Sequence, residues 1–342
     1  MQIENSKSLL LYNTFGMEAV AEAFAEIHQL SDVLEFAQLI KQYASFRILG
    51  GGSNVLITKN LEGLTVINLL KGIEITHEDE DFVEILFGAG ETWHDCVRWC
   101  VDRDYGGIEN LSLIPGTIGA APIQNIGAYG VELKDVFVEL TAIDLETGEA
   151  KKFDALACKF GYRESVFKRE LAGRYFIVSV TLKLCKQPVC QIDYGNLRDE
   201  LASIEPDKLS IKDVSQAVIK IRSEKLPDPK VIGNAGSFFK NPVINYEYYL
   251  KLKEAYPNIP SFEASNGIKI PAAWLIQHAG PEKDQSWKGY TEDGYGVHKN
   301  QALVLVNYGH AKGLDIFNLS GKIIASVQEK FGIQLEREVN IW

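Results

Sequence analysis

A chain of 342 residues is longer than one hydrophobic core usually serves, so two or three domains are expected. With 46% hydrophobic and 24% charged residues its composition is that of a water-soluble globular protein. The net charge of −11 argues against nucleic acid or an anionic membrane surface as partner, since both call for a basic footprint. The first thirty residues carry no signal-peptide pattern and no apolar run approaches ~18 residues, so a cytoplasmic protein is expected. Cys96, Cys100, Cys158, Cys185 and Cys190 are an odd, loosely spaced set, unlike a disulfide framework. Cys96 and Cys100 share a helix face near His94, but without a second ligand cluster they read as buried thiols rather than a metal site.

Residues 22–30 suit helix and strand equally. Ser31-Asp32 then reads as an N-cap before the helical pattern Val33, Leu34, Phe36, Leu39 and Ile40. Phe46–Leu49 is a short strand entering Gly50-Gly51-Gly52-Ser53-Asn54, with a second strand, Val55–Thr58, directly after. The spacing matches neither the dinucleotide fingerprint nor a Walker loop. Such a turn is a plain hairpin in most proteins, and in some a nest of amides for phosphate oxygens. Leu64–Leu69, Ile73–Thr76 and Phe82–Phe87 read as strands and Thr92–Arg103 as a helix. With Val136–Asp144 and Tyr175–Leu184, the region 65–185 reads as α+β with mostly antiparallel pairing. Val214–Arg222 is a helix that stops at Leu226-Pro227-Asp228-Pro229, a domain boundary. Helices are expected at 246–256, Pro271–His278 and Leu314–Phe331, and strands at Ala302–Val306 and in the last ten residues.

The chain is organised around Asn110–Gly130. From Pro115 to Gly130, nine of sixteen residues are Gly, Ala or Pro and none is charged. Prolines and glycines make it a poor helix, and Leu113, Ile114, Ile118, Ile123 and Ile126 make it a poor linker. It reads as a buried, tightly folded run that lets backbone approach another sheet or a flat ligand. Further on, Gly233-Asn234-Ala235-Gly236-Ser237-Phe238-Phe239-Lys240-Asn241-Pro242 sets a hydroxyl beside two aromatics, a cation and an amide. Phe239 stands where a nucleophile elbow needs glycine, so Ser237 reads as a hydroxyl in a poorly hydrated aromatic pocket, suited to donating a proton. Tyr162-Arg163 lies in a polar loop, where an arginine fork can hold a carboxylate.

Three stretches together, Leu49–Leu56, Pro115–Gly130 and Gly233–Pro242, resemble the UDP-N-acetylenolpyruvoylglucosamine reductase family, in the same order over nearly the whole chain. Asp193-Tyr194-Gly195 resembles the loop of its type I branch. The resemblance implies an α+β protein with the two-lobed FAD-binding fold of the vanillyl-alcohol-oxidase type, residues 1–70 and 71–222. Residues 223–331 would be an α+β substrate domain, and 332–342 would return to the second lobe. It implies non-covalent FAD, NADPH as co-substrate and a cytoplasmic monomer. Gly51, Gly52, Ser53 and Asn54 would hold the pyrophosphate, and Pro115, Gly116, Gly119, Ala120, Gln124, Asn125, Gly127, Ala128 and Tyr129 the ring. Ser237 matches the family's proton donor, and Arg163 and Glu338 the residues that stabilise an enolate-like intermediate. Glu338 would donate a hydrogen bond and should be at least partly buried. Tyr162, Tyr194, Lys225, Asn241 and Gln301 fall at the substrate side. Phe262 and Asn340 depart from the family's tyrosine and arginine, which bears on substrate affinity rather than reaction type. A non-catalytic flavin- or nucleotide-sugar-binding protein and a covalent flavin oxidase are the alternatives. All three reaction residues are present, and no His or Cys lies in either FAD-contacting stretch.

Overall fold

In the first sheet, Val20–Ile27 buries Ala21, Ala23, Phe24, Ala25 and Ile27, leaving little of it to face water. Strands covered in this way suit parallel pairing, and the strand lies parallel to Leu61–Asn68, which lies parallel to Phe46–Leu49. Ile3–Ser8 closes the other edge. The computed structural model that shows this describes residues 1–342 apart from Ser265 and Lys283. It resolves the ambiguity over residues 22–30 as strand up to Ile27, with the next helix starting at Leu30. The crossover helix Leu30–Leu39 packs Val33, Phe36 and Ala37 on Ala23, Ala25 and Val66. Its cap is Gln29 rather than Ser31-Asp32. Asp32 sits in the first turn, and its carboxylate accepts from the N–H groups of His28 at 3.0 Å and Gln29 at 3.2 Å.

The second sheet is antiparallel throughout, as 65–185 suggested. Its order is Ala150–Asp154, Phe137–Asp144, Tyr175–Cys185, Phe82–Gly88 and Ile73–Glu78. Helix Trp93–Val101 presses Trp93, Cys96, Val97 and Cys100 into the core on one face of this sheet. Cys96, Cys100 and Cys158 are free and buried there, and burial raises the Cys96 and Cys158 thiols to about 12. Inert, protonated sulfur in an apolar core is the packing reading of these residues.

The chain divides into two units. The first gathers Met1–Lys7, Ala21–Gly52 and Leu61–Glu224; the second gathers Ser8–Val20, Ser53–Asn60 and Lys225–Trp342. Two expectations change. Gly50–Asn54 is not a hairpin turn, because Phe46–Leu49 pairs with Leu61–Asn68 while Val55–Leu56 pairs in parallel with Asn340–Ile341. Residues 332–342 therefore join the second unit rather than residues 71–222. Arg337 fastens them there, donating from Nε to Ser320 Oγ at 2.7 Å and stacking its guanidinium over Phe317. Helix Gly313–Phe331 carries both partners and buries Ile316, Leu319, Ile323 and Val327. Among the described residues no helix is long and apolar enough to cross a membrane.

Gly119 shows how closely the central run is packed: a Cβ there would lie 2.6 Å from Ala89 Cβ and 3.1 Å from Ala89 O. Gly119→Ala should therefore destabilise the protein by about 1–3 kcal/mol in urea unfolding. Exposed Ala120→Gly should cost well under that. Equal, small effects at both positions would contradict this packing.

Candidate active site

The run Pro115–Gly130 has one edge tied down and one face left open. Trp93 N–H donates to Gly116 O at 3.0 Å, Ile118 N–H to Glu91 O at 2.9 Å and Gly119 N–H to Ala89 O at 2.8 Å. Trp93 Nε1 donates to Leu111 O at 3.0 Å, and Leu113 N–H to His94 Nδ1 at 2.9 Å. Ile118–Gln124 winds as a 3₁₀ helix around Pro122, burying Ile118, Gly119, Ala121 and Pro122. Pro115, Ala120 and Gly130 stay exposed. The result is an uncharged run of mostly small residues, backed by hydrogen-bonded chain and open to water at Pro115, Ala120 and Gly130. The glycine turn adjoins it, since a Cβ on Gly51 would lie 3.0 Å from Gly116 Cα.

Asn125 does not belong to the open face. It is fully buried in a left-handed conformation, donates to Glu132 Oε2 at 3.1 Å and Gly161 O at 3.0 Å, and accepts from Lys134 N–H. Its side chain braces the bed against the Arg163 loop. That loop is a tight turn closed by Gly161 and Glu164, with Arg163 at φ +54°. A non-glycine residue held there costs roughly 1–3 kcal/mol, and such strain concentrates at functional sites. It returns Arg163 to the bed, where Nη2 donates to Gly127 O at 2.6 Å. Exposed Tyr162 lies under the Arg163 guanidinium, and exposed Tyr194 meets Tyr129 edge-to-face at 6.5 Å.

In the second unit, Glu338 N–H donates to Phe238 O at 2.8 Å and Phe239 bridges Arg337. This antiparallel contact brings Ser237 and Glu338 onto neighbouring backbone. Glu338 is half-buried, as its expected role required. Ser237 is not in an aromatic pocket: it is exposed, while Phe238 and Phe239 point into the core as its anchors. The turn before it is held by Asn234 Oδ1, which accepts from Gly236 N–H at 2.9 Å, with Gly236 at φ +68°. Asn54 donates from Nδ2 to Glu338 O, and its own carbonyl accepts both N–H and Nδ2 of Asn340 at 3.0 Å. The departure at Asn340 thus has a local structural use. Asn241 Oδ1 accepts from Ala272 N–H at 2.8 Å and starts helix Ala272–Ala279, while Gln301 lies in the turn between His298 and Val304. Lys225 ends helix Ile211–Lys225 and is exposed, as is Phe262.

Sequence reading weighed His94 only as a metal ligand beside the Cys pair and missed its bond to Leu113, which no local motif announces. A family profile described as the C-terminal domain of UDP-N-acetylenolpyruvoylglucosamine reductase matches residues 228–342, and an FAD binding domain profile matches 21–154. The chain is 48% identical to UDP-N-acetylenolpyruvoylglucosamine reductase of Flavobacterium johnsoniae, covering 100% of both, and 47% identical to that of Amoebophilus asiaticus, covering 100% of this chain and 99% of the relative. The chain belongs to this reductase family. The crystal structure of the Thermus caldophilus reductase shares the fold, at TM-score 0.67 and 22% identity, covering 100% of this chain and 99% of that one. As a member of the reductase family the protein is a flavin-dependent oxidoreductase. FAD fits the first unit, which holds residues 21–52 and 61–154 of the FAD binding domain match and carries the uncharged, small-residue run Pro115–Gly130 on paired backbone.

His94 gives the bed a pH dependence. Because Nδ1 accepts from Leu113, the ring proton sits on Nε2, and a second proton would break that bond. Burial lowers its pKa, with Arg98 and Arg222 acting the same way and Asp95 opposing them. A histidine that binds fewer protons folded than unfolded supports stability above the unfolded value of 6.5, and that support is lost as pH falls below it. Wild type should therefore lose more unfolding free energy than His94→Gln between roughly pH 7.5 and 5.5, since a glutamine oxygen can still accept from Leu113. Parallel curves would contradict the role.

Proposed function

We propose that this chain reduces the enolpyruvyl group of UDP-N-acetylglucosamine enolpyruvate to give UDP-N-acetylmuramate for peptidoglycan synthesis, using NADPH and non-covalent FAD. The observation that carries this reading is the seating of Ser237 beside Glu338 by the Phe238–Glu338 backbone bond, in a member of the reductase family. FAD, when bound, would supply the hydride-transfer chemistry that links NADPH to C3 of the enolpyruvyl group. Everything else falls to side chains. As hydride reaches C3, negative charge grows at C2 and spreads into the substrate carboxylate. Ser237 donates the proton to C2, and its exposed hydroxyl is open to a substrate. Arg163 offers a planar fork to the carboxylate, and such preorganised charge is worth about 10²–10³ in rate. Glu338 contributes as a hydrogen-bond donor to the intermediate, a role that requires its protonated form.

The amides of Gly51, Gly52, Ser53 and Asn54 suit the FAD pyrophosphate, and the open face of Pro115–Gly130 suits the ring. Tyr162, Tyr194, Lys225, Asn241 and Gln301 are assigned to the UDP-sugar. An acidic monomer acting on small molecules in the cytoplasm completes the reading, supported by the net charge of −11.

Ser237→Ala tests the assignment in two half-reactions. NADPH should reduce the variant's flavin at the wild-type rate, while reoxidation by substrate should slow by about 10²–10⁴. Equal loss of both half-reactions in stopped-flow absorbance would make Ser237 structural.

A further inference from the structure

Asn110 opens the run that leads into the bed, in the 3₁₀ turn Glu109–Leu111, and is completely buried. Its Nδ2 donates to Tyr129 O at 3.0 Å and to Gln191 O at 2.7 Å. The first partner stands at the end of the bed, and the second stands two residues before the Asp193-Tyr194-Gly195 loop. Its buried Oδ1 has no hydrogen-bond partner, so the side chain is held in place for what it donates. Reversing the amide would set an oxygen against two carbonyls, which fixes its orientation. The base that carries it is itself tied down. Ser112 N–H donates to Glu109 O at 3.1 Å, and Ser112 Oγ meets Ser215 Oγ of helix Ile211–Lys225 at 2.8 Å.

Both partners belong to segments that packing alone does not fix. Tyr129 stands at φ +49° and Gly130 at φ +84°, a left-handed pair that is strained at the tyrosine. Tyr194 rests on this turn: its ring meets Tyr129 edge-to-face, and its Cβ would lie 3.5 Å from a Cβ on Gly130. Tyr129, Cys190 and Ile192 pack on the buried cluster around Val214 and Val218. Apolar packing has no direction, and here it is incomplete. A cavity of about 560 Å³ opens among residues that flank the loop, Cys190 and Ile192 before it and Arg198 and Leu201 after it. Such packing gathers the loop onto the helix without setting its register. Two directional bonds from one amide do set it.

We propose that Asn110 is a positioning residue for Tyr194, tying the loop that carries it to the last turn of the bed and so setting where the phenol meets the UDP-sugar; this rests on the assignment of Tyr194 to that substrate. Asn110 acts through the carbonyls of Tyr129 and Gln191. Without it the loop samples positions in which Tyr194 misses the substrate, and affinity falls by the fraction of time the loop spends in place.

The test measures the dissociation constant of UDP-N-acetylglucosamine enolpyruvate by calorimetry on the oxidised, FAD-loaded protein, where no turnover intervenes. Asn110→Ala should raise it about tenfold, and Asn110→Ser, which keeps one donor, should recover part of the loss. Tyr194→Ala should raise it as well. In the Tyr194→Ala background, Asn110→Ala should add less than about twofold, because the residue it positions is gone. A tenfold penalty that persists in that background would make Asn110 a general structural residue and overturn the proposal. An unchanged constant in Asn110→Ala beside a raised one in Tyr194→Ala would overturn it too, with the assignment of Tyr194 left standing. If Tyr194→Ala binds the substrate as wild type does, that assignment fails and the proposal with it. Urea unfolding and FAD content report whether each variant is folded. Should Asn110→Ala not fold, Asn110→Ser carries the same comparison.

Discussion

The candidate site depends on a short seam of backbone hydrogen bonds, from residues 116, 118 and 119 to residues 89–93. Pro115–Gly130 has only a seven-residue 3₁₀ helix and a two-residue strand to satisfy its own amides and carbonyls, and glycines make it costly to order. Buried peptide groups need partners, and the seam supplies them along one edge. Each bond is worth only about 0.5–1.5 kcal/mol, but losing one leaves a buried group unpaired, which costs more. Because the seam does the holding, the run itself can stay small and uncharged. Trp93 locks the arrangement from helix Trp93–Val101, using its backbone N–H on Gly116 and its indole N–H on Leu111.

The remaining site residues are placed by similar braces. Asn125 links the bed to Gly161, so the left-handed turn that aims Arg163 is registered against the surface it serves. In the second unit, Glu338 is aligned with Phe238 by a backbone bond, with Arg337 tied to helix Gly313–Phe331 on one side and Asn54 donating to the Glu338 carbonyl on the other. Anchors point inward and reactive groups outward. Buried Phe238 and Phe239 make the position of Ser237 rigid without covering it. This division of labour suits a site that must hold geometry yet admit a nucleotide sugar.

Much of this was legible in the amino-acid sequence, for identifiable reasons. The antiparallel sheet follows from alternating strands such as Phe82–Gly88, whose buried Val83, Ile85 and Phe87 face one core. Pro115–Gly130 stood out because its composition suits neither helix nor linker, and Ser237, Arg163 and Glu338 were reached through resemblance to a family. What stayed hidden was long-range. Nothing local in Val55–Leu56 says that it pairs with Asn340–Ile341, some 285 residues away. Asn125 looks like any polar residue in a glycine-rich run until Gly161 and Lys134 meet it. The Ser237 pocket was misread because two aromatics adjacent in sequence were taken to surround the hydroxyl, whereas the chain turns them into the core.

The central claim is that one flavin on this bed carries hydride from NADPH to the enolpyruvyl group. The most direct measurement is the visible spectrum of the FAD-loaded protein under anaerobic conditions, first with NADPH and then with UDP-N-acetylglucosamine enolpyruvate. The account predicts bleaching of the flavin band by NADPH and its full return on adding the substrate, with UDP-N-acetylmuramate formed one for one. A band that bleaches but does not return with this substrate would contradict the proposed reaction. A protein that takes up no FAD would contradict the reading of Pro115–Gly130 on which the reaction rests.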